Sequence, residues 1–274
     1  MNPDPVACNR VGETPDSYIR VPLMPFRLPA QHDRRETQRS RSGLIIAAGV
    51  GSRLGAIGAR THKGLLRIGA ETLLGRSTSL LRMSGVDQIF VVTGYRESDV
   101  KSALGFGFNY VHNPRYAQTG VLHSVLLCAE QLSGQCLVVT TADNFVASEA
   151  IRKCLESTAD VVPLVRRGIR NANRAIGARV ERGAIVGAGS ARSDGWNGEF
   201  SGFVAFSPSG SREFFKAAAD LLPQGGLIAD AVTAMSGLPG LRSEVVWCTD
   251  SQWADVDTIG DLRRVRALAM AADS

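Results

Sequence analysis

Between residues 43 and 143 the chain sets four short apolar runs apart with three amphipathic stretches, an alternation that leaves few folds open. "GLIIAA" (43–48) is short, continuous and rich in β-branched and small residues, as a strand buried on both faces must be. "LLGRSTSLLRMSG" (73–85) has apolar residues at helical spacing and ends in glycine, as a helix C-terminus commonly does. Further strands are predicted at 86–95, 108–113 and 135–143, with helices at 97–105 and 124–134. Strands alternating with helices give an α/β fold whose mainly parallel sheet is covered on both faces. Ligands of such sheets bind beyond the carboxyl ends of the strands. The last of these strands runs "QCLVVTTAD" and ends on a carboxylate, Asp143.

After Asn144 the pattern loosens. A helix is expected over 147–157, strands over 159–165, 175–189 and 200–207, helices over 211–222 and 228–235, and a strand over 241–247. An amphipathic helix, "DTIGDLRRVRALAMAA" (257–272), closes the chain. Residues 1–42 mix prolines and charges with few periodic apolar positions and are expected to form a disordered or extended arm. Residues 43–274 then form one domain, with a nucleotide-binding half at about 43–143 and an acceptor-binding half at about 144–274.

Composition narrows the function classes. The net charge of +5 could serve nucleic acid. Part of the excess, however, lies in "RLPAQHDRRETQRSRS" (27–42), where no aromatic residue is available to stack on a base, so a solvated segment is expected and no nucleic-acid partner. No apolar stretch approaches the roughly 18 to 20 residues of a membrane helix, and no secretory signal is legible, so a cytoplasmic protein without a membrane partner is expected. Cys8, Cys128, Cys136, Cys154 and Cys248 are odd in number and form no CxxC pair, which favours free thiols.

The informative stretch is "LIIAAGVGSRLGAIGARTHKGLL" (44–66), in which a buried strand runs into a glycine-rich turn. Glycines there let backbone N–H groups approach an anion. Gly49, Gly51 and Gly55 are spaced one residue too widely for a dinucleotide fingerprint, and the second strand ends in Thr93, Gly94 and Tyr95 rather than an acid. Lys63 is followed by Gly64, which excludes the GxxxxGK[ST] phosphate loop. Only four of the 31 basic residues are lysines, so a lysine in this stretch stands out.

"AAGVGSRLG" followed by "KGLL" resembles the signature of the nucleotidyltransferases, which join a nucleoside triphosphate to a phosphorylated acceptor and release pyrophosphate. Ala47, Ala48, Gly49, Gly51, Arg53, Leu54, Lys63 and Leu65 match it; His62 departs from it, standing where the family usually has proline. Other segments follow in family order: "TGY" around Gly94, the base and sugar loop "NPRYAQTGVLHSV" (113–125) leading into Ser124, "TTADN", "SGFVAFSPSG" and "WADVDTIGDL". The likeness covers about residues 43 to 270 and is nearest to small CTP-using enzymes acting on phosphocholine, inositol 1-phosphate or phosphonates. In the base loop Val121 and Leu122 stand where those enzymes often have asparagine.

The resemblance implies a Rossmann-like three-layer α/β/α fold with a mainly parallel mixed sheet, of the nucleotide-diphospho-sugar transferase type. It implies CTP and a small anionic acceptor as partners and Mg²⁺ as cofactor; a homodimer is the candidate assembly. By this match Asp143 and Asp257 hold the metal, with Asp255 as the alternative to Asp257. Arg53 holds the β- and γ-phosphates, Lys63 sits near the α-phosphate, and Ala47, Ala48, Gly49, Gly51, Ser52, Gly94 and Ser124 bind the nucleotide. Local sequence leaves Asp143, Asp257 and Ser124 a second role as helix caps.

For the acceptor the candidates are Arg166 and Arg174, at the ends of "RRGIRNANR" (166–174), with Asn144 and Trp196 as neighbours. An exposed arginine-rich loop is the alternative reading of that segment. A molybdopterin-cofactor or sugar-1-phosphate nucleotidyltransferase, and a regulatory protein that binds nucleotide without catalysis, are the competing functions. Retention of Lys63 and both aspartates weighs against the regulatory reading, since a sensor needs no complete metal site.

Overall fold

The structure is a computed structural model that describes residues 40–55, 58 and 60–272. The expected arm therefore lies outside the described residues except for its last three. Two of those belong to the first strand, β1 (Arg41–Ala47), which opens ahead of the expected boundary at 43. Its start is held from both sides: the Arg41 backbone N–H donates to Asp87 at 2.9 Å, and Ser42 Oγ donates to Gln135 at 2.6 Å.

The parallel part of the sheet contains β1, β2 (Gln88–Thr93), β3 (Asn109–His112) and β4 (Cys136–Thr141), in the order β4-β1-β2-β3. Alternate β1 side chains enter different layers: Leu44 and Ile46 pack on one face, Ile45 and Ala47 on the other. The second face is covered by α1 (Leu73–Met83) through Leu74 and Leu81 and by α2 (Glu97–Leu104) through Val100. The first face is covered by α3 (Val121–Leu126) and α4 (Ala129–Leu132). The sequence reads these two as one helix over 124–134. The backbone leaves helical geometry at Cys128 (φ −107°, ψ 6°), while Leu122, Val125, Ala129 and Leu132 stay buried in one layer.

The second half widens the sheet. Strand β5 (Asn144–Val146) and helix α5 (Ser148–Glu156) precede β6 (Val161–Arg167), a hairpin of β7 (Ile176–Glu181) and β8 (Ala184–Ser190), and the long β9 (Gly198–Phe206). Antiparallel β9 lies between β4 and β6 and also pairs with β7, so the sheet is mixed; only β8 and β9 run against its other strands. Helices α6 (Pro208–Leu221) and α7 (Ile228–Ala234) complete the first layer through Phe214, Phe215, Ile228 and Val232. The strand expected over 241–247 shortens to β10 (Val246–Cys248), which pairs with β6 at the sheet edge.

Two short elements are not legible in the sequence: β5, and β11 (Trp253–Asp255), which pairs antiparallel with it as a separate two-stranded ribbon. Beside it the closing helix α8 (Ile259–Ala272) builds a third apolar cluster from Leu262, Val265 and Ala269 against Phe145, Ala254 and Val256. Among the described residues no helix is long and apolar enough to cross a membrane. Four of the five cysteines, Cys128, Cys136, Cys154 and Cys248, are free thiols, and Cys8 lies outside the described residues.

Candidate active site

Strands β1 and β4 end side by side, with Ala47 and Thr141 as their last residues. The chain leaving β1 turns at Gly51, whose φ of +65° is left-handed and suits glycine; a Cβ there would stand 3.3 Å from Lys63 Cβ. Glycine at 51 thus allows the loop to lie directly against the lysine. Lys63 itself begins a short 3-10 turn, Lys63–Leu65. Gly64 follows because the turn lies against the end of β4, where a Cβ would approach the Ala142 carbonyl to 3.0 Å.

The lysine ammonium is held between two carboxylates, with Nζ 2.6 Å from Asp143 Oδ2 and 2.6 Å from Asp257 Oδ1. Asp257 Oδ2 accepts from Arg53 at 3.0 Å, and Arg174 lies 3.8 Å from the same oxygen. The pairs differ in solvent access: the Lys63 and Asp257 side chains are 11% and 10% exposed, whereas Arg53 is 62% exposed. Burial works against the charge on Lys63, but Asp143 and Asp257 outweigh it and hold its pKa above the ordinary lysine value. Burial likewise opposes ionisation of Asp257, yet Lys63, Arg53 and Arg174 hold its carboxyl below the usual range. Asp255 has no such help: burial, then the neighbouring Asp257 and Asp143 charges, push it up to about 7.

Asp257 reaches the cluster because of the β5–β11 ribbon. Asp255 pairs with Asn144 across it, and Val256 N–H donates to the Asp143 carbonyl at 3.0 Å, so the segments carrying the two aspartates run alongside each other. Neither carboxylate is used as a helix cap. Asp143 precedes a strand, and the start of α8 is closed by a reciprocal pair: Asp261 N–H donates to Thr258 Oγ1 at 3.2 Å while Thr258 N–H donates to Asp261 Oδ2 at 2.8 Å. Asp257, one residue ahead of that cap, keeps both oxygens for Lys63 and Arg53.

A cleft of about 240 Å³ opens above this cluster. Ala47, Ala48, Gly49, Gly51 and Ser124, the nucleotide-binding candidates, line it together with Lys63 and Asp143. Ser52 opens a short turn, Ser52–Leu54, but its side chain lies outside the described residues. Gly94 does not line the cleft. It stands behind Tyr116, whose Cβ would be 2.6 Å from a Cβ at 94, and so it lets that ring into the wall. Ser124 is inside α3 rather than capping it; Gly120 is the cap, and buried Ser124 Oγ accepts from Asn113 Nδ2 at 3.0 Å.

Tyr116, Thr119 and Val121 also line the cleft. They fall in the loop singled out by its likeness to a base and sugar loop, where Val121 stands out only as a departure from asparagine and no chemical signature marks Tyr116 or Thr119. Asn113 fastens this loop by donating to Thr119 as well as Ser124 and accepting from the Arg115 backbone N–H at 2.9 Å.

The acceptor candidates divide. Asn144 is buried and fully engaged, donating to Thr140 Oγ1 and the Ser201 carbonyl and accepting from Trp253 Nε1, so it braces β4, β9 and β11 and is not a ligand. Arg166 is also buried, 2.5 Å from Glu199 and 2.7 Å from Asp250; two carboxylates neutralise its charge away from the lysine. Trp196 packs over the β7–β8 hairpin at Gly177 and Gly189. Arg174 does reach the site, anchored by Asp261 at 2.9 Å.

Two carboxylate oxygens converging on one ammonium form a cation position made of oxygen donors alone, the chemistry that suits Mg²⁺. A family model described as the MobA-like NTP transferase domain matches residues 43–227. The choline-phosphate cytidylyltransferase of Streptococcus pneumoniae is 28% identical over 113 residues, 41% of this chain and 48% of the relative. The bifunctional IPC transferase and DIPP synthase of Archaeoglobus fulgidus is 26% identical over 233 residues, 84% of this chain and 44% of the relative. This chain thus spans less than half the length of these two relatives. In fold it is similar to the solved inositol-1-phosphate CTP transferase from T. maritima, with a TM-score of 0.70 at 18% identity over 86% of this chain and 97% of that one. The match across residues 43–227, which carries the glycine turn, Lys63 and Asp143, shows that the chain belongs to the MobA-like NTP transferase family.

Proposed function

We propose that the protein is a Mg²⁺-dependent cytidylyltransferase that transfers CMP from CTP to a small phosphate- or phosphonate-bearing acceptor and releases pyrophosphate. The observation that carries this reading is Lys63 clasped between Asp143 and Asp257 at one end of a nucleotide-sized cleft, with Arg53 beside it. CTP is favoured because matched relatives include a choline-phosphate cytidylyltransferase, and the solved structure that shares the fold is described as a CTP transferase. The free thiols at Cys128, Cys136, Cys154 and Cys248 suit a reducing cytoplasm.

In this reaction an acceptor oxygen attacks the α-phosphorus, the bond from that phosphorus to the bridging β-oxygen breaks, and pyrophosphate carries away the electron pair. The attacking oxygen is already anionic near neutral pH, so no general base is required. The barrier is repulsion between anions: at about 4 Å and an effective dielectric near 20, each like-charge pair costs roughly 4 kcal/mol. Lys63, adjoining the Ala47–Gly51 turn, neutralises charge at the α-phosphate. Arg53, exposed and paired with Asp257, reaches for the leaving pyrophosphate with its forked donors. Backbone N–H groups of the glycine turn face the phosphates, while Tyr116, Thr119 and Val121 enclose the base. Asp143 and Asp257 would hold Mg²⁺, which when bound supplies charge neutralisation and a template for the phosphate oxygens. Arg174, close to Asp257, is the side chain offered to the acceptor's anionic group.

Pyrophosphate release measured with each of four nucleoside triphosphates against a panel of phosphate and phosphonate acceptors tests the proposal. Turnover with CTP and one acceptor, lost in EDTA and restored by Mg²⁺, is the expected result. Nucleotide binding without turnover on any acceptor would refute it in favour of a regulatory role.

A further inference from the structure

His62 stands where the sequence pattern usually has proline, and it is 2% exposed. Its backbone, at φ −66° and ψ 138°, already has the torsion that a proline ring would impose. The imidazole makes two contacts. Nδ1 accepts the Gly64 backbone N–H at 3.1 Å, and Nε2 lies 2.9 Å from the Ala47 carbonyl oxygen. A carbonyl only accepts, so the proton resides on Nε2 and the ring is the neutral Nε2–H tautomer. One end of the imidazole thus grips the last residue of β1, and the other grips the residue after Lys63.

We propose that His62 is the positioning residue of Lys63: in its neutral Nε2–H form it fastens the lysine turn to the end of β1, and protonation at Nδ1 releases the turn. The second function is one that proline in the same backbone conformation could not provide. An imidazolium would present an N–H to the Gly64 N–H, two donors facing each other, and the bond across the turn would be lost. The charged groups around the ring are Lys63 on its own turn, Asp143 beyond β4 and Asp99 on α2. Burial dominates over these and holds the imidazole pKa below its ordinary value, so at neutral pH the turn is fastened. The inference rests on Lys63 acting at the α-phosphate, since only then does holding the turn govern turnover.

The test uses the full chain with His62→Leu, His62→Asn and His62→Pro. Asparagine offers Oδ1 in the place of Nδ1 and retains the Gly64 bond; proline keeps the backbone torsion and removes both contacts. We expect kcat to fall by about 10- to 100-fold in His62→Leu with KM for CTP changed by less than about threefold, because an ångström of misplacement costs on that order in rate. His62→Asn should recover part of that loss. The acid limb of kcat attributable to His62 should be missing from His62→Pro, whereas protonation of the substrate affects wild type and variant alike. A purely structural role would lower the melting temperature of all three variants and leave these profiles parallel; parallel profiles, or full kcat in His62→Leu, overturn the proposal.

A second readout requires no turnover. In ¹⁵N NMR of the metal-free protein at pH 7.5, Nδ1 should be unprotonated, and His62→Leu should shift the Lys63 ammonium resonance. If no nucleotide and acceptor pair reacts, the assigned reaction fails while NMR still decides the positioning: an unmoved Lys63 resonance overturns it.

Discussion

Replacing Lys63 with methionine removes the charge between Asp143 and Asp257 while keeping most of the volume. Both contacts are 2.6 Å, and the lysine and Asp257 are nearly enclosed, with Asp143 30% exposed. Breaking a buried ion pair by deleting one partner costs about 3–5 kcal/mol, because the remaining charge is left uncompensated. Here water reaches Asp143, and Arg53 and Arg174 still face Asp257, so the loss should be smaller, on the order of 2–3 kcal/mol. For a domain of this size each kcal/mol shifts the midpoint by roughly 2–4 °C, which gives a fall of about 4–12 °C in thermal unfolding monitored by circular dichroism in EDTA.

The pH dependence should weaken. In wild type Asp257 titrates below its unfolded value, so its contribution is present above about pH 4 and is lost as pH falls through the depressed folded pKa. In Lys63→Met Asp257 keeps Arg53 and Arg174 but loses the lysine, so the stability lost on acidification through its folded pKa should be smaller than in wild type. A divalent cation at saturating concentration should return much of the loss, since a ligand at 100 times its Kd contributes about 2.7 kcal/mol. Turnover should fall by about 10²- to 10³-fold, as when one transition-state donor is removed. A variant in EDTA that melts within 1 °C of wild type, with no response to divalent cation, would falsify the view that Lys63 occupies a cation position.

The other carboxylates and the displaced arginine give sharper contrasts. Asp255, raised to about 7, is unfavourable to folding as pH rises from about 4 through 7, because the folded state binds its proton longer than the unfolded chain does. Asp255→Asn should therefore stabilise the metal-free protein at pH 8 and have little effect at pH 4, by paired thermal melts; equal effects at both pH values would remove the carboxylate repulsion from the account. Arg166→Met strands Glu199, which is 7% exposed, and should cost about 3–5 kcal/mol in urea unfolding. At a temperature where the variant is folded, KM for the acceptor should be unchanged, and a tenfold rise would restore Arg166 as an acceptor ligand.

The α/β fold and the strands of the parallel half were readable because they rest on local signals, whereas the lysine, arginine and aspartates are singled out through the family resemblance. A buried strand announces itself by an unbroken apolar run, and the glycine turn by spacing that excludes other phosphate loops. The β5–β11 ribbon was not readable, since two three-residue strands more than 100 positions apart carry no periodicity. The ribbon decides which acidic residue near the end of the chain meets Lys63, which is why Asp255 and Asp257 were separable only by resemblance. Arg166 and Asn144 misled for a related reason. Polar residues beside a site read alike from sequence whether they face a ligand or, like these two, satisfy buried neighbours at Glu199, Ser201 and Trp253. Arg174, eight positions on, is one that does face the cluster.

The ribbon also sets a timetable. During synthesis the glycine turn, Lys63 and Asp143 emerge more than 100 residues before Asp257, and β9 must insert between β4 and β6 before the sheet is continuous. Until then Lys63 has one acidic partner instead of two, and β5 lacks its pairing strand. Long-range pairing of this kind forms late because its loop-closure entropy must be met first. A nascent or truncated chain therefore presents the cleft and Lys63 before Asp257 completes the pair of carboxylates around the lysine.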